Sequence, residues 1–95
     1  MSAEPELHIA GVLVHARPEG LAATCDAIGA LPRTDVAQSS AEGRVVVVVE
    51  ADSGHGVMRV IDALRALPGV VDVALVYQHA EPAAAMNETM PQETP

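Results

Sequence analysis

Apolar positions along the chain follow two periods. Residues 44–51, Arg-Val-Val-Val-Val-Val-Glu-Ala, hold five valines in a row closed by an acid. β-Branched side chains lose χ1 freedom in a helix and fit a pleated surface, and the run is too short for a buried helix. It is apolar on both parities rather than alternating, which predicts a central strand (β3) covered on one face and apolar on the other as well. Residues 8–15 form a second candidate of the same character (β1). Residues 34–39, Thr-Asp-Val-Ala-Gln-Ser, are shorter and more polar and suit a sheet edge (β2). Residues 71–78 alternate (β4), with Val71, Val73, Leu75 and Tyr77 on one face and Asp72, Ala74, Val76 and Gln78 on the other.

Two stretches recur at helical spacing instead. Pro18 fits a first helical turn and Glu19 is favourable against the dipole there. Leu21, Cys25, Ile28 and Leu31 follow as a stripe (α1), with Thr24 near the same face, and Pro32 ends it. Asp52 or Ser53 offers the next N-cap. Val57, Val60, Ile61, Leu64 and Leu67 then make a second stripe (α2), stopped by Pro68-Gly69. Ala41-Glu42-Gly43 reads as a turn joining β2 and β3 into a hairpin.

An internal repeat supports this parse. Ala27-Ile28-Gly29-Ala30-Leu31-Pro32-Arg33-Thr34 echoes Ala63-Leu64-Arg65-Ala66-Leu67-Pro68-Gly69-Val70. Each copy is a helix end, a proline stop and a strand entry. Two βαβ halves joined by a hairpin predict an α+β, ferredoxin-like split βαβ domain, β1α1β2β3α2β4, over residues 7–79. Right-handed crossovers put both helices on one face of a four-stranded antiparallel sheet and leave the other face open. Residues 1–6 read as a flexible arm and residues 80–95, rich in Pro, Glu, Ala and Thr, as a disordered acidic tail. Deleting residues 83–95 is expected to leave the melting temperature unchanged, as a thermal scan would show.

Composition narrows the function. The chain of 95 residues has room for one core. Its single aromatic is Tyr77, so the core is built from Val, Leu, Ile and Ala. Thirteen acids against five Lys+Arg give a formal charge of −8. Nucleic acid is thereby excluded as a partner, because phosphates need a basic footprint and single strands need aromatic platforms. Cys25 is the lone cysteine, which rules out an internal disulfide and a Cys-x-x-Cys pair. The acidic opening lacks the apolar run of a signal peptide, and no segment approaches a membrane span, so a cytoplasmic location is expected.

Strand parity then assigns the open face. Pairing Arg44 and Glu50 on the solvent side places Val46 and Val48 there, and the same logic exposes Gly11, Leu13 and His15 while burying Ala10, Val12 and Val14. With the bulky β4 set turned inward, the outward patch is Gly11, Leu13, Val46, Val48, Ala74 and Val76, rimmed by His15, Arg44, Glu50, Asp72 and Gln78. An apolar patch with a polar rim marks an interaction site. Gly11 and Ala74 keep it shallow enough for a helix or peptide to lie on it. With β1 and β3 taken as parallel neighbours, His15 and Glu50 leave the sheet at one edge with Asp52 just beyond. A peptide basic at one end and apolar along its body complements that layout. A weak homodimer packing two sheets face to face is the plainer occupant.

The segment from Gly43 to Ala51, followed by Gly69-Val70-Val71-Asp72-Val73-Ala74-Leu75-Val76-Tyr77, resembles the NapD family, chaperones of the periplasmic nitrate reductase. Val12-Leu13-Val14-His15-Ala16-Arg17 fits it too, and the likeness covers about residues 8–80. The resemblance implies a cytoplasmic ferredoxin-like protein that binds the twin-arginine signal peptide of the catalytic subunit through its sheet. Binding there would restrain export until the molybdenum cofactor is inserted. Carried onto this chain, the implied peptide site is Gly11, Leu13, His15, Val46, Val48, Glu50, Asp52, Ala74 and Val76. The family often follows the tyrosine directly with histidine, whereas here Gln78 precedes His79, so His79 is given no role.

Other chemistries find no support. His8, His15, His55 and His79 include no i, i+4 pair on a helix, and Cys25 belongs to a core stripe, so neither metal nor cofactor is expected. Ser39 and Ser40 lie in a turn and Ser53 is a cap candidate, which leaves no nucleophile with a base and predicts a protein that is not an enzyme. Gly54-His55-Gly56 lacks the Gly-Lys-Ser/Thr ending of a phosphate loop. The remaining competitor is an ACT-like regulatory domain, which shares the topology and would bind a small molecule near residues 52–56.

Overall fold

The computed structural model describes residues 6–82 and has the expected order: β1 (Glu6–Ala16), α1 (Leu21–Gly29), β2 (Thr34–Ser39), β3 (Arg44–Ala51), α2 (Gly54–Arg65) and β4 (Val70–Pro82). The strands form one sheet in the order β2-β3-β1-β4 with every neighbouring pair antiparallel. β1 and β3 are thus antiparallel central neighbours, not parallel ones. In a split βαβ fold each crossover joins two parallel strands that have one strand between them, and that strand comes from the other half. The consequence for the site is large: His15 pairs with Arg44, and Glu50 pairs with Ile9 at the far end of the sheet.

One face of the central pair is fully covered. Ala10, Val12 and Val14 of β1 and Val45, Val47 and Val49 of β3 are buried, packed with Ile28 of α1 and Val57, Ile61 and Leu64 of α2. Burying each such aliphatic side chain contributes about 1.5–3 kcal/mol. α2 lies over β1, β3 and β4, while α1 lies over β2. Ser53 is the N-cap of α2, its Oγ accepting from the Gly56 N–H at 3.0 Å, and the alternative cap Asp52 is not used. α1 is entered through a 3-10 turn, Pro18–Gly20, that carries the expected proline and acid.

The repeat is written in the backbone. Both helices cap on equivalent alanines, Ala30 and Ala66, and both turns then pass through a positive φ at equivalent positions, Arg33 (φ 56) and Gly69 (φ 89). Glycine adopts that conformation without strain; Arg33 is held in it by the Glu50 N–H donating to its carbonyl at 2.9 Å and by an ion pair from its side chain to Asp52. Thr24 of α1 closes the halves together, its Oγ1 lying 3.5 Å from the Pro68 carbonyl.

The domain extends past the expected boundaries. Glu6 opens β1, and β4 continues to Pro82 because Glu6, Leu7 and His8 pair with Pro82, Glu81 and Ala80. Residues 80–82, expected in the tail, belong to β4, and the rest of the expected arm and tail, residues 1–5 and 83–95, lies outside the described residues.

Gly43 makes the hairpin turn at φ 101, and a Cβ built on it would stand 2.1 Å from the Ala16 carbonyl oxygen. Its own carbonyl accepts from the Ala16 N–H at 2.7 Å, which ties the turn to the end of β1. Gly43→Ala should lower unfolding stability by about 2–4 kcal/mol in a urea titration, since it combines an unfavourable φ with a backbone clash.

Candidate functional site

Residues paired across a ladder share a face, so the register spells out the open side row by row. From one end it runs Arg44–His15–Asp72, then Gln38–Val46–Leu13–Ala74, then Asp35–Val48–Gly11–Tyr77, then Glu50–Ile9–His79, and ends with Leu7–Glu81. No helix covers these residues. The expected apolar set on β1 and β3 is brought together here: Gly11 and Leu13 beside Val48 and Val46, with Val46 39% exposed. Ala74 joins them from β4 opposite Leu13.

β4 departs from simple alternation. Leu75 pairs with Val12 but Tyr77 pairs with Gly11, so Val76 is an extra residue in a β-bulge. Val76 and Tyr77 therefore both fall on the open side, 66% and 51% exposed, while Gln78 passes to the helix side opposite Ala10. There its amide reaches the start of α2, 3.2 Å from where a Cβ on Gly54 would be. The expectation that Tyr77 faces the helices and Gln78 forms the rim is thus reversed. A second irregularity between His15 and Ala16 leaves Val71 unpaired and 58% exposed, and Leu75, although on the helix side, is 43% exposed. Only Val73 of the expected inward set is fully buried.

The charges are divided between the two ends. Arg44 and His15 sit at one end, with Asp72 as the acidic neighbour. Glu50 and the His79–Glu81 pair, with Nε2 2.6 Å from the carboxylate, lie at the other. Asp52 follows Glu50 beyond the last rung and binds Arg33 at 3.0 Å, its side chain 86% exposed. Asp35, opposite Val48, adds an acid on the β2 side. At the Arg44 end a groove is lined by Leu13, Val46, Arg44, Gln38 and the hairpin residues Ser39, Ser40 and Glu42. It lies at the opposite end of the sheet from residues 52–56.

Three apolar members of this face were absent from the expected set: Leu7, Ile9 and Tyr77. Leu7 and Ile9 have the parity of Gly11 and Leu13, a signal sufficient to include them. Tyr77 could not be found by parity, because the bulge lies among residues that are all apolar. Among the described residues no group of three or more His, Cys, Asp or Glu side chains is placed to hold a metal.

Comparison with known proteins matches this geometry. A family model described as NapD protein matches residues 7–82. The chain belongs to the NapD family. Chaperone NapD of Escherichia coli strain K12 is 32% identical over 74 residues, which is 77% of this chain and 85% of that protein. Chaperone NapD of Haemophilus influenzae is 27% identical over 75 residues, 78% of this chain and 81% of that protein. The solution structure of the E. coli Tat proofreading chaperone protein NapD superposes with a TM-score of 0.75 at 28% identity, covering 97% of this chain and 95% of the other. The fold is that of the NapD chaperones. Among the described residues no helix is long and apolar enough to cross a membrane.

Asp52 has no structural duty beyond its exposed ion pair. Exposed pairs are worth less than about 1 kcal/mol, so Asp52→Asn should barely move the urea midpoint. Any effect of that substitution on partner binding then reports recognition and not folding.

Proposed function

We propose that this protein is a cytoplasmic, non-enzymatic chaperone that uses its open sheet face to bind the twin-arginine signal peptide of a periplasmic nitrate reductase catalytic subunit. Binding holds back export until the molybdenum cofactor has been inserted into that subunit. One observation carries the reading: an uncovered face on two aliphatic central strands, apolar in the middle and acidic at one end. Membership in a family whose relatives are named chaperones, one of them a Tat proofreading chaperone, supports a signal peptide as the partner of that face.

The signal's apolar run lies over Gly11, Leu13, Val46, Val48, Ala74 and Val76. Its arginines meet Glu50, with Asp52 beyond it, because the arginine of this face, Arg44, stands at the opposite end. A second copy of the chain would need the same face, so dimerisation and peptide binding compete.

Calorimetry against the twin-arginine signal peptide and a twin-lysine variant tests the reading. Micromolar or tighter binding, weaker for the variant, is expected. Val48→Asp, or the more exposed Val46→Asp, should abolish binding with the circular dichroism unchanged, because a charge would be buried unpaired under the peptide. Raising salt should weaken binding modestly, since exposed charges are screened over about 8–10 Å near physiological ionic strength. Unchanged affinity in both Asp variants would reject the sheet face. A free amino acid that raises the melting temperature where the peptide does nothing would favour a sensor domain.

A further inference from the structure

We infer that Tyr77 is the central contact residue of the peptide site, seated there by the β4 bulge and by the absence of a side chain at Gly11; the inference rests on the docking reading above. Gly11 is buried even though it lies on the uncovered side of the sheet. What covers it is the Tyr77 ring: a Cβ built on Gly11 would stand 2.2 Å from Cε2, 2.7 Å from Cδ2 and 2.8 Å from Cζ. The ring thus occupies the space a side chain at position 11 would fill, and it is still 51% exposed. One part rests on the backbone of β1 while the rest is offered to a partner.

The placement is that of an anchor. Around it the floor is low, made of Gly11, Val48 and Ala74, so the ring is the largest apolar feature on the face. A tyrosine already seated against its neighbour loses little rotamer freedom on binding. Large rings with a polar tip are also the side chains that dominate interface energetics. The occupant is fixed by the surroundings. The row beside Tyr77 carries Glu50 and His79, so a segment with arginines at the Glu50 end lays the apolar residues that follow them across the ring. The hydroxyl stays available to the peptide backbone.

The sequence supplies the readout. With one Tyr and no Trp or Phe, tyrosine emission from the full chain comes from Tyr77 alone. Titration with a synthetic twin-arginine signal peptide free of Trp and Tyr should protect that emission from acrylamide in step with the heat of binding. Tyr77→Ala should weaken affinity about 30-fold, as for an interface anchor. Tyr77→Phe should stay within about fivefold, having lost one hydrogen bond at most. Gly11→Ala, which lifts the ring without altering it, should weaken binding as well. Calorimetric binding with unprotected emission, and with Tyr77→Ala close to wild type, would overturn the role of Tyr77 and leave the docking face standing. Absence of any binding by the wild type would overturn both. Should Tyr77→Ala fail to fold, protection of the wild-type emission and the affinity of Tyr77→Phe decide the matter.

Discussion

The register between β1 and β3 is the constraint on which the rest depends. The pairs Ala10–Val49, Val12–Val47 and Val14–Val45 make the floor of the core, and Gly11–Val48 and Leu13–Val46 make the open face. A slip by one residue would exchange the two faces. Apolar matching alone does not forbid it, because both faces are rich in aliphatic side chains. The ends forbid it: a slip of β3 would carry Arg44 and Glu50 under the helices, where unpaired charge is costly. The bond from the Ala16 N–H to the Gly43 carbonyl pins the same register from the hairpin side. Polar residues at the strand tips thus decide which apolar surface is core and which is offered outward.

The helices and their stops were legible because each carries redundant signals. The α2 stripe, the Ser53 cap and the Pro68-Gly69 stop agree with one another, and the α1 segment repeats the scheme with Arg33 where α2 has glycine. Less legible features were those that hydrophobicity does not encode. Leu75, Val76 and Tyr77 are apolar in sequence, so nothing in the pattern announces that Val76 is inserted and that parity reverses after it. Strand direction is a property of topology, which separates His15 from Glu50 by the length of the sheet. The extension of β4 to Pro82 depends on pairing with Glu6 and Leu7, which precede the apolar run read as β1. Asp52 kept its expected position next to Glu50, but its tie to Arg33 arises from a turn contact that spacing does not reveal.

The unequal sharing of charge gives the face a direction. Arg44, with Asp72 near it, at one end and Glu50 and Glu81, with the Arg33-bound Asp52, at the other are separated by the apolar rows, so a segment with positive charge at only one terminus is favoured in one orientation. The apolar middle supplies non-directional attraction and the ends choose the alignment. Because the face is open and its acids are hydrated, neither term is large. That suits the reversible binding proposed for this face.

The bulge also answers a problem of the core. A chain with one aromatic residue has packed its interior with Val, Ile, Leu and Ala, and a tyrosine turned inward by strict alternation would need room and a hydrogen-bond partner for its hydroxyl beneath the helices. Inserting Val76 sends the ring to the open side, where the residue is 51% exposed. The residue that takes its place on the helix side is Gln78, which stays exposed and reaches the first turn of α2 at Gly54. The departure from alternation thus relieves the interior and raises a ring over Gly11 on the surface. Both effects follow from one extra residue in β4.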